Sequence, residues 1–229
     1  MLDYKLEEKT AVLTMDDGKA NALSEAMIDA LIGALDRADK EASSIVLAGR
    51  PDRFCAGFDL KVMMSGPEQA TALLRRGSEL LMKLYGCPLP LVIACTGHAL
   101  AGGALVLLTG DVRIGASGAF RIGLNEVQIG LPVPVLAMEL ARDRIKKLEL
   151  QRATLEATIY SPDEAAKVGY LDEVVAPGEL MGRAKAEAAR LGALSRFPYS
   201  ATKKRLRGRT IDHILGTLDE DMKTIMSGS

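Results

Sequence analysis

Two stretches, Phe54-Cys-Ala-Gly-Phe-Asp-Leu60 and Gly97-His-Ala-Leu-Ala-Gly-Gly-Ala104, decide how this chain is read. Each follows an apolar run of strand character, Ser43 to Ala48 before the first and Leu91 to Cys95 before the second, and each leads toward a helical pattern. Small residues at a strand-to-helix junction leave backbone N–H groups uncovered, and an uncovered N–H can stabilise a developing negative charge. Together the two turns read as halves of one oxyanion hole, with Ala56 and Gly102 as its donors.

Outward from these turns the pattern is a repeating one. Asp3 to Glu7 and Ala11 to Met15 alternate as the strands of a hairpin joined at Glu8-Lys9. Ser24 is placed as the N-cap of a helix whose apolar stripe is Met27, Ile28, Leu31, Ile32 and Leu35. A helix from Pro67 to Leu84 follows the first glycine turn, a short apolar helix ending near Thr109 follows the second, and Val112 to Gly115 is a further strand. Strands alternating with helices at this spacing indicate crossover units and mainly parallel pairing, with ligands at the carboxyl ends of the strands. From Pro132 the pattern is mostly helical, at Pro162 to Ala166, Gly178 to Arg190 and Ile211 to Ile225, and the closing Ser-Gly-Ser reads as a frayed tail. The expected organisation is an α/β catalytic core over residues 1–190 with a C-terminal helical region over 191–229.

Composition excludes several classes of function. The 229 residues carry 29 basic and 30 acidic side chains, a net charge of -1 that gives no attraction to nucleic acid or acidic membranes. No apolar run reaches membrane-spanning length, and the acidic N-terminal residues do not form a secretory signal. Cys55, Cys87 and Cys95 have no metal-ligand spacing and form no disulfide framework, so neither a metal nor a cofactor is expected and a reducing, cytoplasmic compartment fits. The basic run Lys203-Lys-Arg-Leu-Arg-Gly-Arg209 either solvates a helix face or meets a phosphate-bearing ligand, with solvation the ordinary outcome.

One acid stands in apolar company. Glu126, in Ile122-Gly-Leu-Asn-Glu-Val-Gln-Ile-Gly130, is flanked by Ile122, Leu124, Val127 and Ile129, and desolvation there would raise its pKa toward that of a general base. The plain alternative is a helix cap or an outward-facing side chain; the glycine turns favour the base. Cys55 lacks a neighbouring base that would activate it and reads as a small buried residue, His98 beside the second donor either touches solvent or substrate or is a satisfied structural histidine, and Asp59 and Asp111 read as turn-fixing carboxylates. Pro132-Val-Pro134 with Val135, Leu136 and Met138 forms either an acyl-pocket wall or helix core.

Taken in order, Lys19-Ala-Asn-Ala-Leu23, the two glycine turns, Tyr160-Ser-Pro-Asp-Glu-Ala165 and Gly169-Tyr-Leu-Asp-Glu-Val-Val175 resemble the motifs of the crotonase, or enoyl-CoA hydratase/isomerase, superfamily, over residues 3 to 225. The resemblance implies a spiral of ββα repeats, packing into a homotrimer or a dimer of trimers through C-terminal helices, and an acyl-CoA thioester substrate whose coenzyme A is no separate cofactor. It implies thioester contacts at Ala56, Gly57, Gly102 and Gly103, coenzyme A contacts at Lys19, Asn21, Ala22 and Leu23, and a binding role for Asp59 and Leu60. Many members of that superfamily continue through a further helix beyond the point matching Ser229, so the C-terminal region is expected to be shortened.

The superfamily's hydratases use two carboxylates. By resemblance the first would fall on Leu105 and the second on Glu126, a pattern similar to the Δ3,Δ2-enoyl-CoA isomerases. The expected reaction is a double-bond shift from the 3- to the 2-position with Glu126 carrying the proton. The alternatives are water addition to a 2-enoyl-CoA, or another crotonase-type reaction, and a non-catalytic acyl-CoA-binding role.

Overall fold

The computed structural model describes residues 1–227, so Gly228 and Ser229 of the expected tail lie outside the described residues. Strands β1 (Leu2–Glu7) and β2 (Thr10–Met15) form the expected antiparallel hairpin, and β2 begins a run of parallel neighbours: β4 (Ser44–Gly49), β7 (Leu91–Cys95), β9 (Val112–Ala116) and β11 (Glu173–Val175). The central strands are apolar on both faces because each face is covered. Ala11, Leu13, Ile45, Leu47, Leu91 and Ile93 point into the main core, whereas Val12, Val46, Ala48, Val92 and Ala94 pack with Leu180, Ala184, Ala188 and Leu191 of helix α8 (Leu180–Gly192).

Helix α1 (Glu25–Glu41) starts where the sequence places it: the Ser24 side chain accepts the Met27 N–H, and Met27, Ile28, Leu31 and Leu35 are buried. Each such side chain contributes about 1.5–3 kcal/mol by leaving water. Helix α3 (Pro67–Tyr85) lies beside α1 and helix α4 (Gly102–Thr109) beside α3.

Short strands complete the pattern. β5 (Asp52–Cys55), β8 (Gly97–Leu100) and β10 (Ile122–Gly123) pair in parallel in the order β10-β8-β5, and β3 (Ala22–Leu23) pairs with β6 (Gly57–Phe58). β2, β4, β7 and β9 of the main sheet are thus each followed by a short strand outside it and then by a helix or turn, the ββα repeat. The glycine segments correct the expectation in one respect: they are not turns after strands but second-layer strands themselves. Their carboxyl ends carry the turns.

The C-terminal region is one helix, α9 (Arg196–Ser227), longer than the Ile211 to Ile225 stretch read from periodicity. Its basic run divides: Lys204, Arg205 and Arg209 are exposed, the solvated face expected, whereas Lys203 and Arg207 turn inward. Lys203 is 6% and Arg207 3% exposed. Lys203 Nζ lies 2.5 Å from Asp111 Oδ2 and donates to the Leu89 carbonyl, and Arg207 lies 2.9 Å from Asp111 Oδ1 and donates to the carbonyls of Tyr85 and Thr109. Asp111 also accepts the Leu91 N–H at 2.8 Å, the turn-fixing role expected of it. Among the described residues no helix is long and apolar enough to cross a membrane, and no three His, Cys, Asp or Glu side chains group as metal ligands.

Candidate active site

The two turns meet. A Cβ built on Gly57 would lie 3.2 Å from the Gly102 nitrogen, and one built on Gly103 would lie 2.0 Å from the Cys55 carbonyl oxygen, so only glycine lets the start of α4 sit against the β5–β6 corner. Ahead of α4, Ala101 holds φ 48 and ψ -123, a backbone region unusual for a residue with a side chain. It is held there from both sides, its N–H donating to the Gly123 carbonyl at 3.1 Å and its carbonyl accepting the Leu105 N–H at 3.1 Å. Strain of this kind costs on the order of 1–3 kcal/mol and is characteristic of functional sites. Gly102 is then the first residue of α4, where an N–H has no intrahelical acceptor and the helix dipole is positive.

The other expected donor needs correction. Ala56 N–H is spent on the Ala20 carbonyl at 3.1 Å, so it is not free to meet an oxyanion. Asp59 N–H is likewise spent on Leu23 O at 3.3 Å, in the β3–β6 ladder. Alternation along that ladder turns the Phe58 N–H away from β3, and β6 has no second strand on its other side. Gly57, at φ +98, makes the corner that separates the two behaviours. The free N–H of the first turn therefore belongs to Phe58, a residue that reading for small side chains passes over.

The opposite end of α4 is gripped by two cations, Arg207 buried and Arg144 half-buried. Arg144 donates to the Leu108 and Gly110 carbonyls and Arg207 to the Thr109 carbonyl, so positive charge faces the negative end of the helix dipole. Burial, with Arg207 and Arg113 nearby, brings the Arg144 guanidinium down to about 10.

Glu126 reaches the same region from β10, which runs beside β8 with Gly123 opposite Leu100. The chain leaves that ladder where Ala101 bonds Gly123, and Glu126 follows in the next turn. Its side chain is 7% exposed, and Oε2 has no hydrogen-bond partner among the described residues. Burial pushes the carboxyl above its ordinary pKa, with a hydrogen bond from its own backbone N–H offsetting part of the rise. It is neither a side-chain cap nor outward-facing: the 3-10 turn after it, Val127–Ile129, has no side-chain cap. Leu105, in the first turn of α4, is 3% exposed and brings no second acid.

Of the residues expected to meet coenzyme A, the Lys19 to Leu23 loop is a rigid edge. Asp17 accepts the N–H groups of Lys19, Asn21 and Ala22 at 2.7, 2.9 and 3.1 Å. Burial works to raise the Asp17 carboxyl, but those N–H groups outweigh it and hold the pKa below its ordinary value. The Asn21 side chain is fully engaged, donating to the carbonyls of Met15, Arg53 and Phe54 and accepting from Asp17 N–H, so it clasps the loop to β5 and has no polar atom to spare for a ligand. Lys19 is exposed, and Leu60 is exposed on α2 (Leu60–Met63), whose first turn the Asp59 carboxylate caps through the Lys61 N–H. Leu136 belongs to the main core, and His98 Nδ1 accepts the Arg121 N–H, a structural role.

The enoyl-CoA hydratase/isomerase family model matches residues 5–224. The chain belongs to the enoyl-CoA hydratase/isomerase family. It is 30% identical to the mitochondrial enoyl-CoA delta isomerase 1 of Rattus norvegicus, over 99% of this chain and 80% of that protein. A probable enoyl-CoA hydratase of Rhodobacter capsulatus is 33% identical over 88% of this chain and 79% of its own length. Among solved structures, an enoyl-CoA hydratase/isomerase family protein from Pseudomonas syringae superposes with a TM-score of 0.95 at 39% identity, covering 98% of this chain and 97% of its own. Human mitochondrial delta3-delta2-enoyl-CoA isomerase superposes with a TM-score of 0.93 at 29% identity, covering 99% and 90%. The fold is the crotonase fold, and the chain is an enzyme of that superfamily with activity of the enoyl-CoA hydratase/isomerase type.

Proposed function

We propose that this enzyme is an enoyl-CoA isomerase that moves the double bond of a 3-enoyl-CoA to the 2-position. The observation that carries the reading is Glu126, a buried carboxylate whose Oε2 has no partner among the described residues, while Leu105 in the first turn of α4 is apolar. Glu126 takes the proton from C2 of the 3-enoyl thioester, and the electron pair left behind moves onto the thioester oxygen. That oxygen rests against the N–H groups of Phe58 and Gly102 as an enolate. The enolate then collapses with its double bond between C2 and C3 and takes the same proton back at C4, so atoms and charge balance with no water consumed. Each N–H donor of such a hole is worth on the order of 10² to 10³ in rate. One acid suffices because the proton leaves and returns on the same face.

The reading calls for no cofactor beyond the coenzyme A of the substrate. The adenine end is assigned to the edge formed by Ala22, Leu23 and Ala56, with Lys19 offering charge from the exposed end of the loop. For the assembly we favour a homotrimer or a dimer of trimers. Phe197 at 80% exposure, and a cavity of about 490 Å³ bordered by Leu194, Pro198, Tyr199 and Leu206, support a second copy seated at the start of α9. Sedimentation as a monomer would contradict that part.

The deciding experiment gives the purified enzyme 3-hexenoyl-CoA and crotonyl-CoA in parallel. Isomerisation of the first, with hydration of the second slower by orders of magnitude, is the expected result. Hydration of crotonyl-CoA at ordinary enzymatic rates with the 3-enoyl ester untouched would replace the proposal with the hydratase reading.

A further inference from the structure

The Phe58 ring is wedged between two glycines of different helices. A Cβ on Gly77, in the interior of α3, would lie 2.1 Å from Phe58 Cε1 and 2.6 Å from Cζ; one on Gly102 would lie 3.1 Å from Cδ2 and 3.2 Å from Cε2. One edge of the ring thus enters a notch on α3 while the opposite edge lies on the first residue of α4. Leu74 of α3 and Leu218 and Met222 of α9 form the cluster against which the ring packs. Gly77 has an ordinary helical backbone and no turn to make, so its poor helix propensity is retained in a 19-residue helix for what the notch admits.

We infer that the Phe58 ring is the spacer that sets the gap between the two N–H groups of the oxyanion hole, and that Gly77 is the positioning residue that seats it. The inference rests on the reading of Phe58 and Gly102 as the donors. Phe58 supplies one N–H from its backbone and lays the edge of its own ring on the residue supplying the other. The separation of the donors is then fixed by a flat ring held on both edges, where a loop alone would let it vary. A displacement of about 1 Å at a reacting centre costs on the order of 10² in rate, which is the scale such a spacer protects.

Gly77→Ala, Phe58→Leu and the double variant test this, because all three keep both N–H groups. The readouts are kcat and KM for 3-hexenoyl-CoA, the infrared thioester C=O stretch of bound octanoyl-CoA, and circular dichroism to confirm folding. A hydrogen-bonded carbonyl absorbs at lower frequency than the free ester. Gly77→Ala is expected to lower kcat by ~10- to 100-fold with KM changed less than ~3-fold, and to move the bound C=O stretch back toward its solution value. Adding Phe58→Leu makes room for the new methyl and is expected to restore part of that loss, so that the double variant is better than the product of the two single losses.

The inference is overturned if Gly77→Ala keeps the wild-type stretch and kcat, or if the two losses simply multiply in the double variant. Should Gly77→Ala not fold, Phe58→Leu alone decides: a weakened carbonyl shift supports the spacer, an unchanged shift with unchanged kcat overturns it. A wild-type complex whose carbonyl absorbs at the solution frequency is a different failure, that of the donor reading itself, and takes the spacer with it.

Discussion

Replacing Glu126 by glutamine separates what that carboxylate does for turnover from what it does to stability. The side chain is 7% exposed with Oε2 unpartnered among the described residues, so ionising it in the native state is opposed by desolvation. A carboxyl raised in the native state binds its proton more tightly there than in the unfolded chain. Its effect on stability is therefore most favourable below the ordinary glutamate pKa and is lost as pH rises through the native value. The amide carries no charge to desolvate, so Glu126→Gln is expected to be more stable than wild type at pH 8 by on the order of 1 kcal/mol, the advantage shrinking toward pH 4. For turnover, a positioned base contributes about 10² to 10⁴ in rate, or roughly 3–5 kcal/mol of barrier. The variant should lose that much kcat on 3-hexenoyl-CoA while still binding coenzyme A esters. The wild-type rate should fall on the acid side with a midpoint above that of a free glutamate. Urea titrations at pH 5 and pH 8, run beside the kinetics, give both numbers. A variant within about tenfold of wild-type kcat, or one whose stability difference does not change with pH, would refute the reasoning.

Three further substitutions have outcomes set by the geometry. Asp111→Asn leaves Lys203 and Arg207 buried without their counter-charge and should cost about 3–5 kcal/mol, lowering Tm in calorimetry by roughly 2–4 °C per kcal/mol; replacing Asp111, Lys203 and Arg207 together by apolar residues should cost much less. Asn21→Ala strands the Met15, Arg53 and Phe54 carbonyls and the Asp17 N–H, and should cost at least about 1–3 kcal/mol in urea titration with KM for the coenzyme A ester rising more than kcat falls. Gly103→Ala drives a methyl onto the Cys55 carbonyl oxygen, 2.0 Å away, which no side-chain rotation relieves; the start of α4 must move, and a kcat loss on the order of 10² with α-helical circular dichroism retained is the expected signature.

What the sequence makes legible here is what local pattern controls. Ser24 caps α1 because the hydroxyl reaches only its own helix, and β4 and β7 read as buried strands because both faces must be apolar. The glycine segments show where two turns meet, but not which N–H is free. That depends on Gly57 turning at φ +98 and on Ala20 and Leu23, from another strand, taking the N–H groups of Ala56 and Asp59. The short strands β6 and β10 escape notice because two residues show no periodicity. Lys203 and Arg207 look like surface charge until Asp111 is brought beside them from a distant part of the chain. Glu126 was the reverse case: its apolar neighbours in sequence are enough to forecast its desolvation.

Helix α9 touches both ends of the machinery, gripping the carbonyl end of α4 through Arg207 and backing the Phe58 ring through Leu218 and Met222. On the ribosome, every strand and both donor turns are made before any of these contacts exist. The sheet can form as it emerges, but the cluster of Leu74, Leu218 and Met222 behind the Phe58 ring closes only when the last helix lies down. On the proposed reading of the site, a nascent chain halted before Arg207 is expected to hold the sheet without the α9 contacts that back the Phe58 ring and the carbonyl end of α4.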